Sequence, residues 1–188
     1  MINIINMTKN DECYTKYEDA LELVKNIEKY YTDKNIKIWC PFCCNLDTKT
    51  FDCKKGSIPN ALVKKGYSNL ICTTNDFYSY SKEWVKENKI DLIIDNPPFS
   101  KRTQLLEKLI SLDIPFIILQ GAQQWFSNQK CIWWLSDYSQ YISLLLPNKR
   151  MSFNRPNQPE QKTNPAFFSF WLCYKTNLPN GFIRYEKV

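Results

Sequence analysis

The chain predicts an α/β fold: a mostly parallel sheet completed by a C-terminal antiparallel hairpin, in a single domain spanning residues 1–188. Three observations lead there. Short apolar runs alternate with segments of helical periodicity through most of the chain, the pattern of strands separated by crossover helices. The last third instead carries strand-like runs with no helix between them. A length of 188 residues with 44% hydrophobic content suits one core rather than several.

The elements follow in order. Thr15-Lys16-Tyr17-Glu18 has the spacing of a capping box, with Thr15 as N-cap and Glu18 reaching back. Ala20, Leu21, Val24, Ile27 and Tyr31 recur behind it at helical spacing, so a helix is expected over 16–31. Ile36 to Cys40 is a short apolar strand. Ser57 opens a second helix with Pro59 in its first turn, and Gly66 ends it. Asn69 to Thr73 reads as a strand, Ser81 to Asn88 as a short helix and Asp91 to Asp95 as a strand. Lys101 to Leu112 is an amphipathic helix on Leu105, Leu106, Leu109 and Ile110, and Pro115 to Leu119 a buried strand. Tyr141 to Leu146, Ala166 to Tyr174 and Phe182 to Tyr185 complete the strands. A hairpin closing one edge of the sheet, with 154–165 as its loop, accounts for them. Ligands of open α/β sheets sit beyond the carboxyl ends of the strands, which singles out loops 41–56, 74–80 and 96–100.

Composition narrows the chemistry. The chain has no histidine, which excludes Ser-His and Cys-His nucleophile pairs, histidine general bases and histidine metal ligands. Four glycines leave little material for Gly-rich phosphate loops. A net charge of +6 suits a polyanionic partner as well as it suits ordinary surface solvation. No run approaches the roughly 18 apolar residues of a membrane span, and the N-terminus lacks the pattern of a signal peptide. A cytoplasmic location is therefore expected, with the eight cysteines mostly reduced.

One loop carries chemistry. Asp95-Asn96-Pro97-Pro98-Phe99-Ser100 follows a buried strand directly. A turn is the simplest reading of such a string. At the carboxyl end of a central strand, however, Asn96-Pro97-Pro98-Phe99 resembles the catalytic motif of the S-adenosylmethionine-dependent amino-methyltransferases, the DNA adenine-N6 group in particular. That motif is Asp, Asn or Ser followed by Pro-Pro and an aromatic residue. The resemblance covers roughly residues 12–175 and is closest to small phage-encoded members. It implies a Rossmann-like class I methyltransferase fold. The Asn96 side-chain oxygen and the Pro97 carbonyl would accept hydrogen bonds from the target amine, Pro97 and Pro98 would keep the turn rigid, and Phe99 would stack on a flipped adenine. It also implies cofactor contacts at Tyr14 and Thr15, where Lys16 stands in place of the family's proline, and at Asp76, Phe77 and Asn96. Tyr14 and Thr15 read equally as a packing aromatic and a helix cap, and Asp76 as an N-cap. Arg150 to Phe153 and Pro165 to Tyr174 resemble the family's last hairpin.

The cofactor loop of that family, Asp-Pro-Phe-x-Gly-x-Gly, falls on Cys40-Pro41-Phe42-Cys43-Cys44-Asn45-Leu46. Pro41 and Phe42 match, Cys43 occupies the variable position, and Cys44 and Leu46 stand where glycine would let backbone approach a ligand. Cys40-Pro41-Phe42-Cys43 also has the form of a glutaredoxin-like dithiol. The residues after it read as loop rather than the helix that would activate a thiolate. A zinc site from Cys40, Cys43, Cys44 and Cys53 lacks a second C-x-x-C, so no metal is expected. For nucleic acid, the resemblance places Phe99 and Ser100 at the base, and Lys101, Arg102, Lys149 and Arg150 (with Arg155) are the cations nearest the motif and the hairpin. Gln120 to Tyr141 could read bases, or be a helix packing Trp133, Trp134 and Leu135 into the core. The expected partner is DNA, with RNA as the alternative. An inactive relative would instead bind nucleic acid or a host defence protein.

Overall fold

The computed structural model describes residues 14–42, 57–73, 75–98, 101–154 and 168–186. Their centre is a seven-stranded sheet: β2 (Ile38–Cys40), β3 (Leu70–Cys72), β4 (Leu92–Asp95), β5 (Phe116–Gly121), β6 (Ile142–Leu146), β8 (Ser169–Tyr174) and β9 (Gly181–Arg184), in the spatial order β3-β2-β4-β5-β8-β6-β9. β3, β2, β4 and β5 are mutually parallel, β8 is antiparallel to both neighbours, and β9 is parallel to β6. A separate two-residue pair joins β1 (Tyr14–Thr15) to β7 (Phe153–Asn154).

Period-2 alternation sorts the strand residues onto two faces. Ile38, Cys40, Leu92, Ile94, Ile117, Leu119, Trp171 and Cys173 pack under α1 (Tyr17–Ile27) and α2 (Ser57–Lys64). Trp39, Ile93, Phe116, Ile118, Phe170, Leu172 and Tyr174 face the other layer. That layer holds α3 (Lys82–Glu87), α4 (Arg102–Leu112), α5 (Ala122–Phe126) and α6 (Gln129–Asp137). Both faces of the central strands are covered, which is why they read as unbroken apolar runs.

The helix ends follow local chemistry, with one correction. Ser81 caps α3 by accepting from Trp84 N, and Asn128 caps α6 by accepting from Lys130 N and Cys131 N. Gly66 adopts φ +89°, a conformation strained for any residue with a Cβ, and turns the chain out of α2. The expected capping box at α1 does not form: Lys16 is the N-cap without a side-chain bond, and Thr15 lies in β1 opposite Phe153. Strand pairing claimed the residue that helix propensity had assigned to the cap.

The expected C-terminal antiparallel hairpin is present as the β6–β8 pair toward one edge of the sheet, although it does not form the edge itself. β8 inserts between β5 and β6, and the chain then crosses to the far side of β6, where β9 forms the edge. The crossing is pinned by buried Leu178 and by Ser143 Oγ, which donates to Pro179 O at 2.8 Å. No helix among the described residues is long and apolar enough to cross a membrane.

Candidate functional site

β2 and β4 are neighbours and end side by side, so the segment after Cys40 and the segment after Asp95 lie together. β4 is flanked by β2 and β5 and is wholly buried. Asn96 follows it at once, half-buried, with Pro97 buried and Pro98 half-buried. The prolines carry no N–H, so Asn96 supplies the one backbone donor of this three-residue turn, and a residue before proline is held extended.

That donor is satisfied by the residue before it. Asp95 is 2% exposed, its Oδ1 accepts from Asn96 N at 2.8 Å, and its Oδ2 accepts from Phe42 N at 2.5 Å. One carboxylate therefore joins the loop after β2 to the loop after β4. Burial pushes its pKa up from 3.8 to about 7, against the opposing pull of the two amide hydrogen bonds.

An aromatic layer surrounds the end of β2. The Phe42 ring lies 4.8 Å from that of Phe77, and Trp39 lies within 5.6 Å of Phe77, Tyr80 and Trp84. Trp39 Nε1 donates to Thr73 Oγ1 at 3.0 Å, linking β2 to the end of β3. Phe77 is buried in this cluster and opens a single 3-10 turn. Asp76 caps the turn, accepting from Tyr78 N at 3.1 Å through Oδ1, and its side chain is exposed. The N-cap reading of Asp76 is thus correct, and the carboxylate still faces solvent at the strand ends.

The other expected site residues divide. Tyr14 and Thr15 are held by β7 rather than by a helix cap. Thr15 is 4% exposed, and its Oγ1 has no hydrogen-bond partner among the described residues. Lys101, Lys149 and Arg150 are exposed, and the Arg150 guanidinium stands 5.0 Å from the centroid of the Phe168 ring, itself 52% exposed. Arg102 is turned inward: it is 9% exposed and its Nε donates to Gln120 Oε1 at 3.0 Å, a geometry that favours a structural role over phosphate contact. The same oxygen accepts from Trp125 Nε1 at 2.8 Å. Within 120–141 Trp125 is fully buried, Trp134 and Leu135 pack half-buried against the same cluster as expected, and Trp133 is 57% exposed. Cys43, Phe99, Ser100 and Arg155 lie outside the described residues, as does the zinc set beyond Cys40. Among the described residues Cys131 and Cys173 carry free thiols, whereas Cys72 is disulfide-bonded.

A groove of about 450 Å³ lies at the opposite end of the sheet, lined by Lys82, Lys86, Asp91, Asp113 and Pro115 among others. It adjoins the amino ends of β4 and β5, where parallel sheets rarely hold ligands. Asp113 there pairs with both Lys82 and Lys175.

Sequence reasoning missed Asp95. It was read as the last residue of a strand, and its signal was an acid closing an otherwise apolar run, Leu92-Ile93-Ile94-Asp95. It also missed the buried Arg102–Gln120–Trp125 cluster, whose members look like surface polars in the sequence. The chain matches no model of a known protein family and no curated protein.

Proposed function

We propose that this chain is a Rossmann-like S-adenosylmethionine-dependent methyltransferase of the amino-methylating class, acting on adenine N6 in DNA. One observation carries the reading. Asn96-Pro97-Pro98 stands directly after the carboxyl end of a central parallel strand, beside the Pro41-Phe42 end of the neighbouring strand. The antiparallel β8 after a parallel α/β core supports it, as do the cations Lys101, Lys149 and Arg150, which suit a phosphate backbone.

Among the described residues, this end of the sheet offers the cofactor the half-buried Phe42, packed on the buried Phe77, for a flat ring, and the exposed Asp76 carboxylate for hydroxyl groups. S-adenosylmethionine, when bound, supplies an electrophilic methyl group. The protein's task is the amine. An exocyclic amine is a weak nucleophile because its lone pair is delocalised into the ring. Acceptors at the Asn96 side-chain oxygen and the Pro97 carbonyl favour the pyramidal form and stabilise developing positive charge. Phe99, which lies outside the described residues, would stack on the flipped base as the resemblance implies. A cytoplasmic location belongs to the same proposal.

A second reading rests on one sequence observation: Cys44 and Leu46 replace the glycines of the family's cofactor loop. On that reading the chain is an inactive relative that binds nucleic acid or a host defence protein, as in phage counter-defence. Methyl transfer to adenine-containing duplex DNA, single-stranded DNA and RNA separates the two. The enzyme reading expects transfer that Asn96→Ala abolishes in a protein that still folds. Undiminished transfer in that variant contradicts the assigned role.

A further inference from the structure

We infer that Asp95 is the positioning residue of this site: its one carboxylate holds the backbone of Phe42, beyond β2, and that of Asn96, beyond β4, in a single fixed arrangement. Asp95 shares the face of Ile93, which packs with Trp39, Phe116 and Ile118, so burying its carboxyl group costs desolvation. The two amide hydrogen bonds offset that cost, and an apolar residue here would leave the Phe42 and Asn96 N–H groups without this acceptor. Among the described residues the carboxylate forms no ion pair. Its partners are the two amides, at 2.5 Å and 2.8 Å.

Among the described residues, no other ionisable group on the surrounding elements bonds to it. Among the residues of the flanking strands β2 and β5, Cys40 alone can ionise, and it belongs to the opposite face. In the layer that covers Asp95, Tyr80 packs on Trp39 and Trp84, Tyr174 stacks on Phe116, and Arg102 with Cys131 gathers at Gln120. What the carboxylate does is local. Phe42 N–H is given an acceptor on the adjacent strand end, so the loop after β2 cannot shift without breaking a bond to the residue next to Asn96. Phe42 and Asn96 thereby become one unit on a single carboxylate. That the unit joins cofactor and target amine rests on the methyltransferase reading; the clamp itself does not.

The test follows individual amides by NMR in the intact chain. In the wild type, the Phe42 and Asn96 amide resonances should titrate together with one midpoint, because both report the same carboxyl group. In Asp95→Asn, whose amide can accept at only one atom, that shared titration should vanish. Exchange of the Phe42 amide with solvent should rise about tenfold or more, while amides of Ile118 and Leu172 stay unchanged. Separate midpoints in the wild type, which need no variant to observe, overturn the clamp. So does a Phe42 amide whose exchange is unaltered in Asp95→Asn. S-adenosylmethionine titrated into both proteins should bind the variant about tenfold more weakly. A wild type that binds no cofactor sinks the methyltransferase reading and leaves the two amides to decide the clamp.

Discussion

Replacing Asp95 by asparagine should change how the stability of this protein depends on pH. The Asp95 carboxyl has a pKa of about 7 in the fold and 3.8 as its ordinary value, because burial in an apolar layer penalises the charge. The folded state therefore holds this proton more tightly than the unfolded state. Stability from this group is fully present below about pH 4 and is lost as the pH rises toward and through 7. Each pH unit between the two values is worth about 1.4 kcal/mol, so the whole range comes to about 4 kcal/mol. Between pH 5 and pH 8 the wild type should lose about 3 kcal/mol from this group, and Asp95→Asn, which has no proton to release, should lose none of it. Urea unfolding followed by tryptophan fluorescence at several pH values measures the difference between the two proteins. The gap should move in favour of the variant as pH rises. A gap that is flat, or that moves in favour of the wild type, refutes the reasoning. In that case the two amides outweigh burial and the carboxylate is ionised throughout.

Other parts of the molecule make independent predictions. Gln120→Leu removes the acceptor shared by Arg102 and Trp125 and leaves a buried guanidinium and a buried indole N–H without it. Destabilisation of about 3 kcal/mol or more is expected in chemical unfolding, and less than about 0.5 kcal/mol would mean that the cluster is bypassed. Thr15→Val preserves shape while deleting a buried hydroxyl that has no partner among the described residues, so stability should be unchanged or higher. A loss of cofactor affinity in that variant, with stability kept, would assign the hydroxyl to ligand binding. Asp113, held by Lys82 and Lys175, should titrate at about 2 by NMR. Its midpoint should rise toward the ordinary carboxylate range when both lysines are replaced by glutamine, and no rise would deny the pairing.

The parallel core was legible because its signals are local. Runs such as Ile36 to Cys40 and Asp91 to Asp95 are apolar in sequence for the same reason that they are buried on both faces in the fold. Gly66, Ser81 and the prolines of the motif mark ends through backbone chemistry that needs no tertiary context. The misreadings are tertiary. Thr15 has the form of a cap, but residues far along the chain, Phe153 and Asn154, pair with its segment. The insertion of β8 between β5 and β6 leaves no mark in the sequence, since an alternating apolar strand looks alike at a centre and at an edge. Arg102 and Gln120 appear to be solvated polars until each is seen to satisfy the other. Asp95 was hidden for the opposite reason, because beside so recognisable a neighbour as Asn96-Pro97-Pro98 it read as the end of a strand.

Calorimetric titration of the full chain with S-adenosylmethionine tests the central claim most directly. The two strand ends, the Phe42–Phe77 pair and the exposed Asp76 together predict saturable binding at or below about millimolar cofactor. The affinity should be weakened in Asp95→Asn. No heat of binding at millimolar cofactor in the folded wild type would contradict the account and turn it toward the inactive, partner-binding relative.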